Sequence, residues 1–236
     1  MTTLLETRGL TKHFGGAHVI NGIDFSIDAG EIRCVIGPNG AGKSTFFKLI
    51  TGEHRPSEGS VMFLGQDMSH VLPHERIRMG MSIKFQIPGV FPDLSVRQHL
   101  QLSLHRAKDD RPESLGELLQ RFMLESEDGV LARNLSHGKK QWLEIAMAVS
   151  LRPKLLFLDE PVAGMSVEET HATGELIKRL SADGLTMMVV EHDMTFVKQI
   201  ASRVTVLHGG SVLADGPLDE ILARDDVAEV YLGKKK

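Results

Sequence analysis

IRCVIGPNGAGKSTFFKLITG, residues 32–52, decides the fold. Its opening segment, Ile32 to Ile36, reads as a buried-type strand. Gly37, Gly40, Gly42, Lys43 and Ser44 then supply the G-x-x-x-x-G-K-[ST] spacing, and STFFKLITG predicts a helix that starts at Ser44 and stops at Gly52. A Cβ at any of the three glycines would obstruct backbone N–H groups turning inward around phosphate oxygens. The helix adds its positive N-terminal end. Lys43 offers a point charge to β- and γ-phosphates, and Ser44 a hydroxyl to Mg²⁺, a cation that takes oxygen ligands. Pro38, Asn39, Ala41 and Thr45 complete the loop. A glycine-rich turn with an incidental lysine would not need a strand before it and a helix after it. The loop therefore points to a nucleoside triphosphate such as ATP, without specifying a task.

LLFLDEP, residues 155–161, is the second decisive stretch. A continuous apolar run fits a parallel strand buried on both faces, and ligands of open α/β sheets gather at the carboxyl ends of such strands. Asp159 is then placed to hold Mg²⁺, directly or through water, and Glu160 to polarise an attacking water. Two solvated acids before a strand-stopping proline are the plainer alternative, and the phosphate loop argues against it. The similar run MMVVEH ends at His192, which by analogy reaches the same crevice and is able to bond a γ-phosphate or orient water. A histidine at a strand end is otherwise often a partial-core residue.

Outward from these stretches the chain divides. Before residue 32, Leu4 to Leu10 and Val19 to Ile27 read as strands punctuated by glycine turns, and Val61 to Leu64 as another. Between residues 88 and 153, VRQHLQLSLHRA, ESLGELLQRFML and KKQWLEIAMAVSL carry apolar residues at helical spacing. We expect one domain over 1–236, with an α/β core and β subdomain at about 1–87 and 154–236 and a helical subdomain at about 88–153. After LLFLD the expected order is a helix over Val167 to Leu180, the strand TMMVVEH, and a helix around Phe196. A strand pair follows (Val204 to Leu207, Ser211 to Ala214), then a final helix from Leu218 with Pro217 at its entrance.

Composition bounds the rest. The 236 residues suffice for one sizeable core, and 42% hydrophobic with 25% charged residues is ordinary for a soluble globular chain. A net charge of -4 gives no global pull toward nucleic acid, which is not expected as a partner. The single cysteine, Cys34, cannot form an internal disulfide and reads as a small buried thiol. The first residues show no signal-peptide pattern, and nowhere do roughly 18 apolar residues run together, so any membrane role is expected through docking. The terminal GKKK reads as a solvated tail.

Over essentially its whole length the sequence resembles the ABC ATPase family. Besides GPNGAGKST and LLFLDEP it has KFQ (84–86), LSHGKKQ (135–141) and EH (191–192) in that family's order. The resemblance implies a P-loop NTPase core of ABC ATPase type with an antiparallel β subdomain and an inserted helical subdomain. It implies that Phe14, in KHFGG, stacks on adenine, and that Gln86 touches Mg²⁺ and the lytic water. Ser136 and the N–H of Gly138 would face the γ-phosphate held by a second subunit. Three positions depart from the pattern: His137 replaces a signature glycine, Lys139 the usual glutamine, and Ser166 an aspartate found in many members.

FGG, LSHGKKQWLEIAM, EPVAGM, VVEHDM and EVYLG narrow the resemblance to ATP-binding subunits of branched-chain amino acid or urea importers, most similar to the urea type. The implied partners are a second ATP-binding subunit (a paralogue first, a copy of itself second), integral membrane permeases and, indirectly, a periplasmic solute-binding protein. The implied place is cytoplasmic, peripheral on the inner face of the cell membrane. The competing readings are a lipid or lipopolysaccharide exporter ATPase, a soluble non-transport ABC ATPase and a P-loop kinase; LSHGKKQ and EH argue against the kinase.

Overall fold

The computed structural model describes residues 2–86, 89–106 and 113–232, with 231 and 232 described by backbone alone. The tail 233–236 lies outside the described residues. Strands β1 (Thr3–Phe14), β2 (Ala17–Asp28), β4 (Glu58–Phe63) and β5 (Gln66–Asp67) form an antiparallel sheet in the order β2-β1-β4-β5. A six-stranded sheet holds β3 (Ile32–Ile36), β6 (Met81–Lys84), β7 (Leu155–Asp159), β8 (Thr186–Val190), β9 (Arg203–His208) and β10 (Ser211–Pro217). Its order is β10-β9-β3-β8-β7-β6, parallel throughout except for β10 against β9.

Both faces of the parallel strands are covered, which is why they read as unbroken apolar runs. Cys34, Ile36, Leu156, Leu158 and Val189 point into one core with residues of the helices beyond them, among them Leu176 and Phe196. Val35, Leu155, Phe157, Met188 and Val190 point into the other, against Phe46, Phe47 and the antiparallel sheet's Leu5, Ile27 and Phe63. Cys34 is 0% exposed, and burial pushes its thiol pKa far up, as expected of a packing residue. Arg33 interrupts the apolar run, and its desolvation is offset by pairing with Glu31 at 2.6 Å and with Asp215 and by a hydrogen bond to Thr205 at 3.1 Å. Phe157 meets Phe47 edge-on, ring centroids 5.8 Å apart. Phe157→Ala is expected to cost about 3–5 kcal/mol, read as a lower urea midpoint with little change in slope.

The helices are α1 (Lys43–Thr51), α2 (Pro73–Arg78), α3 (Val96–Arg106), α4 (Leu115–Arg121), α5 (His137–Ser150), α6 (Val167–Ala182), α7 (Met194–Ile200), α8 (Leu218–Leu222) and α9 (Asp225–Leu232). Between β6 and β7, α3 packs on α5. Their apolar faces, with α4, bury Leu100, Leu118, Phe122 and Leu143 together. Trp142 of α5 donates to Thr173 Oγ1 of α6 at 2.8 Å, fastening this helical segment to the core.

One expected detail changes. The final helix is two, because Arg224, held by Asp226 at 2.6–2.9 Å, separates α8 from an α9 that opens on two aspartates. Pro217, which ends β10, stands at the entrance of α8 as expected. The end of α1 has a cap that was not anticipated. The guanidinium of buried Arg76 donates to Leu49 O at 3.1 Å and to Ile50 O, meeting the carbonyls a helix leaves unpaired.

Candidate active site

Strand register builds the site. Val35 pairs with Val190, and Asp159 with Val190, so the end of β3, Glu191 and Glu160 reach one edge of the sheet together. Lys84 pairs with Leu158, which brings Phe85 and Gln86 alongside the carboxylates. Four consecutive positions in the sheet thus deliver their chemistry to one crevice.

The loop after β3 demands glycine at two points. Gly37 has φ 156, and a Cβ there would lie 2.3 Å from Leu207 O. Gly42, left-handed at φ 100, precedes α1; a Cβ would meet Ile20 Cδ1 at 2.8 Å. No side chain caps α1 and no acid lies in its first turn, so its N-terminal N–H groups remain for an anion. Lys43 donates to Gly37 O at 2.6 Å and Pro38 O at 3.1 Å, across the loop's mouth. Burial lowers its pKa, with Glu160 and Asp159 pulling the other way. Ser44 is exposed beside it, Ala41 is buried, and Asn39 and Gly40 face solvent.

Asp159 is pushed up to about 6, first by burial and then by the charge of Glu160, with Lys84 opposing. Glu160 occupies left-handed backbone space at φ 44, an uncommon place for a residue with a Cβ, worth about 1–3 kcal/mol of strain. Its N–H donates to Val190 O at 2.9 Å. Gln86 Nε2 donates to Glu160 Oε2 at 2.8 Å, and His192 Nδ1 stands 3.6 Å from Glu160 Oε1. His192 keeps a side chain 60% exposed, so it lies at the crevice and not in the core.

The sequence reading passed over three charged groups here. Glu191, 1% exposed, accepts from the N–H groups of His192 at 2.8 Å, Asp193 at 3.2 Å and Val162 at 3.4 Å, tying the end of β8 to the loop after Glu160. Burial nonetheless raises its pKa. Lys84, 1% exposed, donates to the carbonyls of Asp159 at 3.3 Å and Glu160 at 3.4 Å. Glu144 of α5 accepts from the N–H of Gly89. The position of Glu191 in EH and of Lys84 in KFQ was the available signal.

Ser136 N-caps α5 by accepting from Lys139 N–H at 3.2 Å, and its hydroxyl donates to Glu169 Oε1 at 3.3 Å. A Cβ on Gly138 would lie 2.5 Å from that same carboxylate. His137 Nε2 lies 2.9 Å from Ala163 O, the bond of an N–H donating to a carbonyl. Lys139 turns into the helical segment: its ammonium bonds Met123 O and Glu127 and lies 5.0 Å from the Trp142 ring centroid. Ser166 caps α6 in a reciprocal pair with Glu169, at 3.2 and 3.1 Å. Phe14 closes β1, 45% exposed, its ring edge on His54 at 5.3 Å. Phe14 and Ser136 find their partners in His54 and Glu169, away from the Asp159–Glu160 carboxylates, and Gly138 lies beside Glu169 as well.

The donor set suits its ligands. The Gly37 and Gly42 cradles are ones a Cβ would fill, and Ser44, Gln86 and Asp159 carry oxygen atoms of the kind Mg²⁺ takes.

Comparison with known proteins agrees with this geometry. The family described as "ABC transporter" matches residues 20–163. The probable branched-chain amino acid transport ATP-binding protein LivG of Archaeoglobus fulgidus is 34% identical over 98% of this chain and 95% of its own length. The high-affinity counterpart LivG of Escherichia coli K12 is 33% identical over 98% of both. Among solved structures, the ADP conformation of MJ1267, an ATP-binding cassette of an ABC transporter, superposes with a TM-score of 0.87 at 28% identity, covering 99% of this chain and all (100%) of that one. A nucleotide-free cassette from an ABC transporter gives 0.87 at 26% identity over 99% and 100%.

Proposed function

Because this chain belongs to the ABC transporter family, as its ATP-binding and ATP-hydrolysing component, we propose that it works as one half of an ATP-closed pair driving solute import. The observation that carries this reading is the meeting of Lys43's loop, Asp159, Glu160, Gln86 and His192 at one sheet edge.

In this reading the triphosphate lies in the 37–45 loop, Lys43 moves from the Gly37 and Pro38 carbonyls onto β- and γ-phosphates, and Phe14 stacks on the adenine. Glu160 polarises the water, held on one oxygen by Gln86 and faced on the other by His192. Ser44, Asp159 and Gln86 would hold Mg²⁺, which would neutralise charge on the phosphates. Ser136 and Gly138 cover the γ-phosphate of the opposite subunit, so Ser136 exchanges Glu169 for phosphate on closure. ATP contacts both halves only when they are closed, and so shifts the open–closed population.

The helical segment at about 88–153, against the core at about 1–87 and 154–236, is the part that passes this closure to integral membrane permeases. Among the described residues no helix is long and apolar enough to cross a membrane. In this reading the chain sits peripherally, on the cytoplasmic face beneath those permeases, with a periplasmic binding protein delivering solute on the far side. Its partner subunit is a paralogue or a second copy. The relatives' names favour a branched-chain amino acid as solute, with urea or a similar amide the neighbouring choice; they do not favour an exporter or a soluble ABC ATPase.

The test is purification of the intact complex in mild detergent, with its companions identified by mass spectrometry and ATP-dependent solute uptake measured in vesicles. Permeases and an ATP-binding subunit are expected. A nucleotide-loaded protein that stays monomeric with its permeases present would overturn the reading.

A further inference from the structure

Lys84 is a buried cation for which the mechanism above has no use. It ends β6, is 1% exposed, and sends its ammonium to two backbone carbonyls, those of Asp159 at 3.3 Å and Glu160 at 3.4 Å. Sequestering an ammonium is costly, so a lysine held there for packing alone would be better replaced by an apolar chain of the same length. What it touches is the strained turn: Glu160 sits at φ 44, and the carbonyls on both sides of that turn accept from one ammonium.

A further counter-charge comes from a different element: the Glu144 carboxylate of α5 opposes the lowering of the Lys84 pKa that burial causes. One of its oxygens accepts from Gly89 N–H, three residues past Gln86, and the other is buried with no hydrogen-bond partner among the described residues. That helix is the one capped by Ser136.

We propose that Lys84 is a positioning residue for Glu160: its ammonium clamps the Asp159–Glu160 carbonyls and holds the left-handed turn that aims the carboxylate. Glu144, on the helix that begins at Ser136, completes the charged surroundings of this turn and accepts from Gly89 N–H. The turn is thus held through the backbone of Glu160, while the Gln86 side chain holds its carboxylate. This rests on Glu160 being the group that polarises the water.

The test compares full-length Lys84→Met, Lys84→Gln, Glu144→Gln and Glu160→Gln for ATP affinity by calorimetry, single-turnover hydrolysis, and Tm. Lys84→Met is expected to bind ATP within about twofold of wild type and hydrolyse it about 10- to 100-fold more slowly, with a somewhat lower Tm because Glu144 loses its counter-charge. Lys84→Gln, whose amide can still donate to the carbonyls, recovers part of the rate. Glu144→Gln keeps an acceptor for Gly89 and loses less than Lys84→Met. Normal hydrolysis by Lys84→Met, or rate, affinity and Tm falling together, overturns the inference. Should neither Lys84 variant fold, an unchanged rate in Glu144→Gln overturns it. If Glu160→Gln hydrolyses normally, the reading of Glu160 fails first; if only Lys84→Met does, the clamp alone fails.

Discussion

Glu160→Gln keeps its ATP and loses steady-state turnover by about 10²- to 10⁴-fold, the usual scale for removing a general base. The substitution preserves shape, and an amide oxygen at position 160 still accepts from Gln86, now bonded at 2.8 Å. It removes only the charge that draws a proton from water. ATP then binds without being consumed, so the closed pair accumulates and shows as a doubled mass by light scattering once the partner subunit is present. Wild-type protein under the same conditions cycles and stays largely open. A variant that hydrolyses ATP at the normal rate would show that Glu160 is not the base.

Lys43→Ala acts one step earlier. Its ammonium already lies at the mouth of the loop, 2.6 Å from Gly37 O, so little reorganisation is needed to meet phosphate. Losing a charge-assisted hydrogen bond of about 1.5–3 kcal/mol weakens ATP binding by about 10- to 100-fold. The α1 helix has no side-chain cap that depends on Lys43, so stability should change little. Calorimetry and thermal melts on the same sample separate the two effects. Unchanged affinity would remove Lys43 from the site.

Most of what places these residues was legible in the chain, because each feature had a local cause. Ile32 to Ile36 and Leu155 to Asp159 are observed as the strands expected, since a parallel strand covered on both faces must be apolar throughout. Gly37 and Gly42 stand where no Cβ fits. Ser136 and Ser166 announce helix starts that are observed at the next residue. The failures are features whose cause is distant. Strand β6 carries Ser82 and Lys84, so its apolar pattern is broken, and only its neighbour β7 makes it a strand. Helix α2 is one and a half turns held by Arg76 against α1, a contact no window of sequence contains. Lys139, a departure from the family pattern, is held by Met123, Glu127 and Trp142 within the helical segment, contacts that its position in LSHGKKQ does not foretell. Glu191 and Lys84 had a signal in EH and KFQ, but Glu144 joined them only when strands and a helix were brought together.

The placement of Cys34 has a practical outcome for following the machine at work. The sole native thiol is sealed in the central strand and resists ionisation, so maleimide and methanethiosulfonate reagents will pass it by in folded protein. A cysteine introduced at an exposed position such as Leu102 then becomes the single labelling point, with no background to remove first. Fluorophores or spin labels placed that way can report distances during turnover in otherwise unaltered protein.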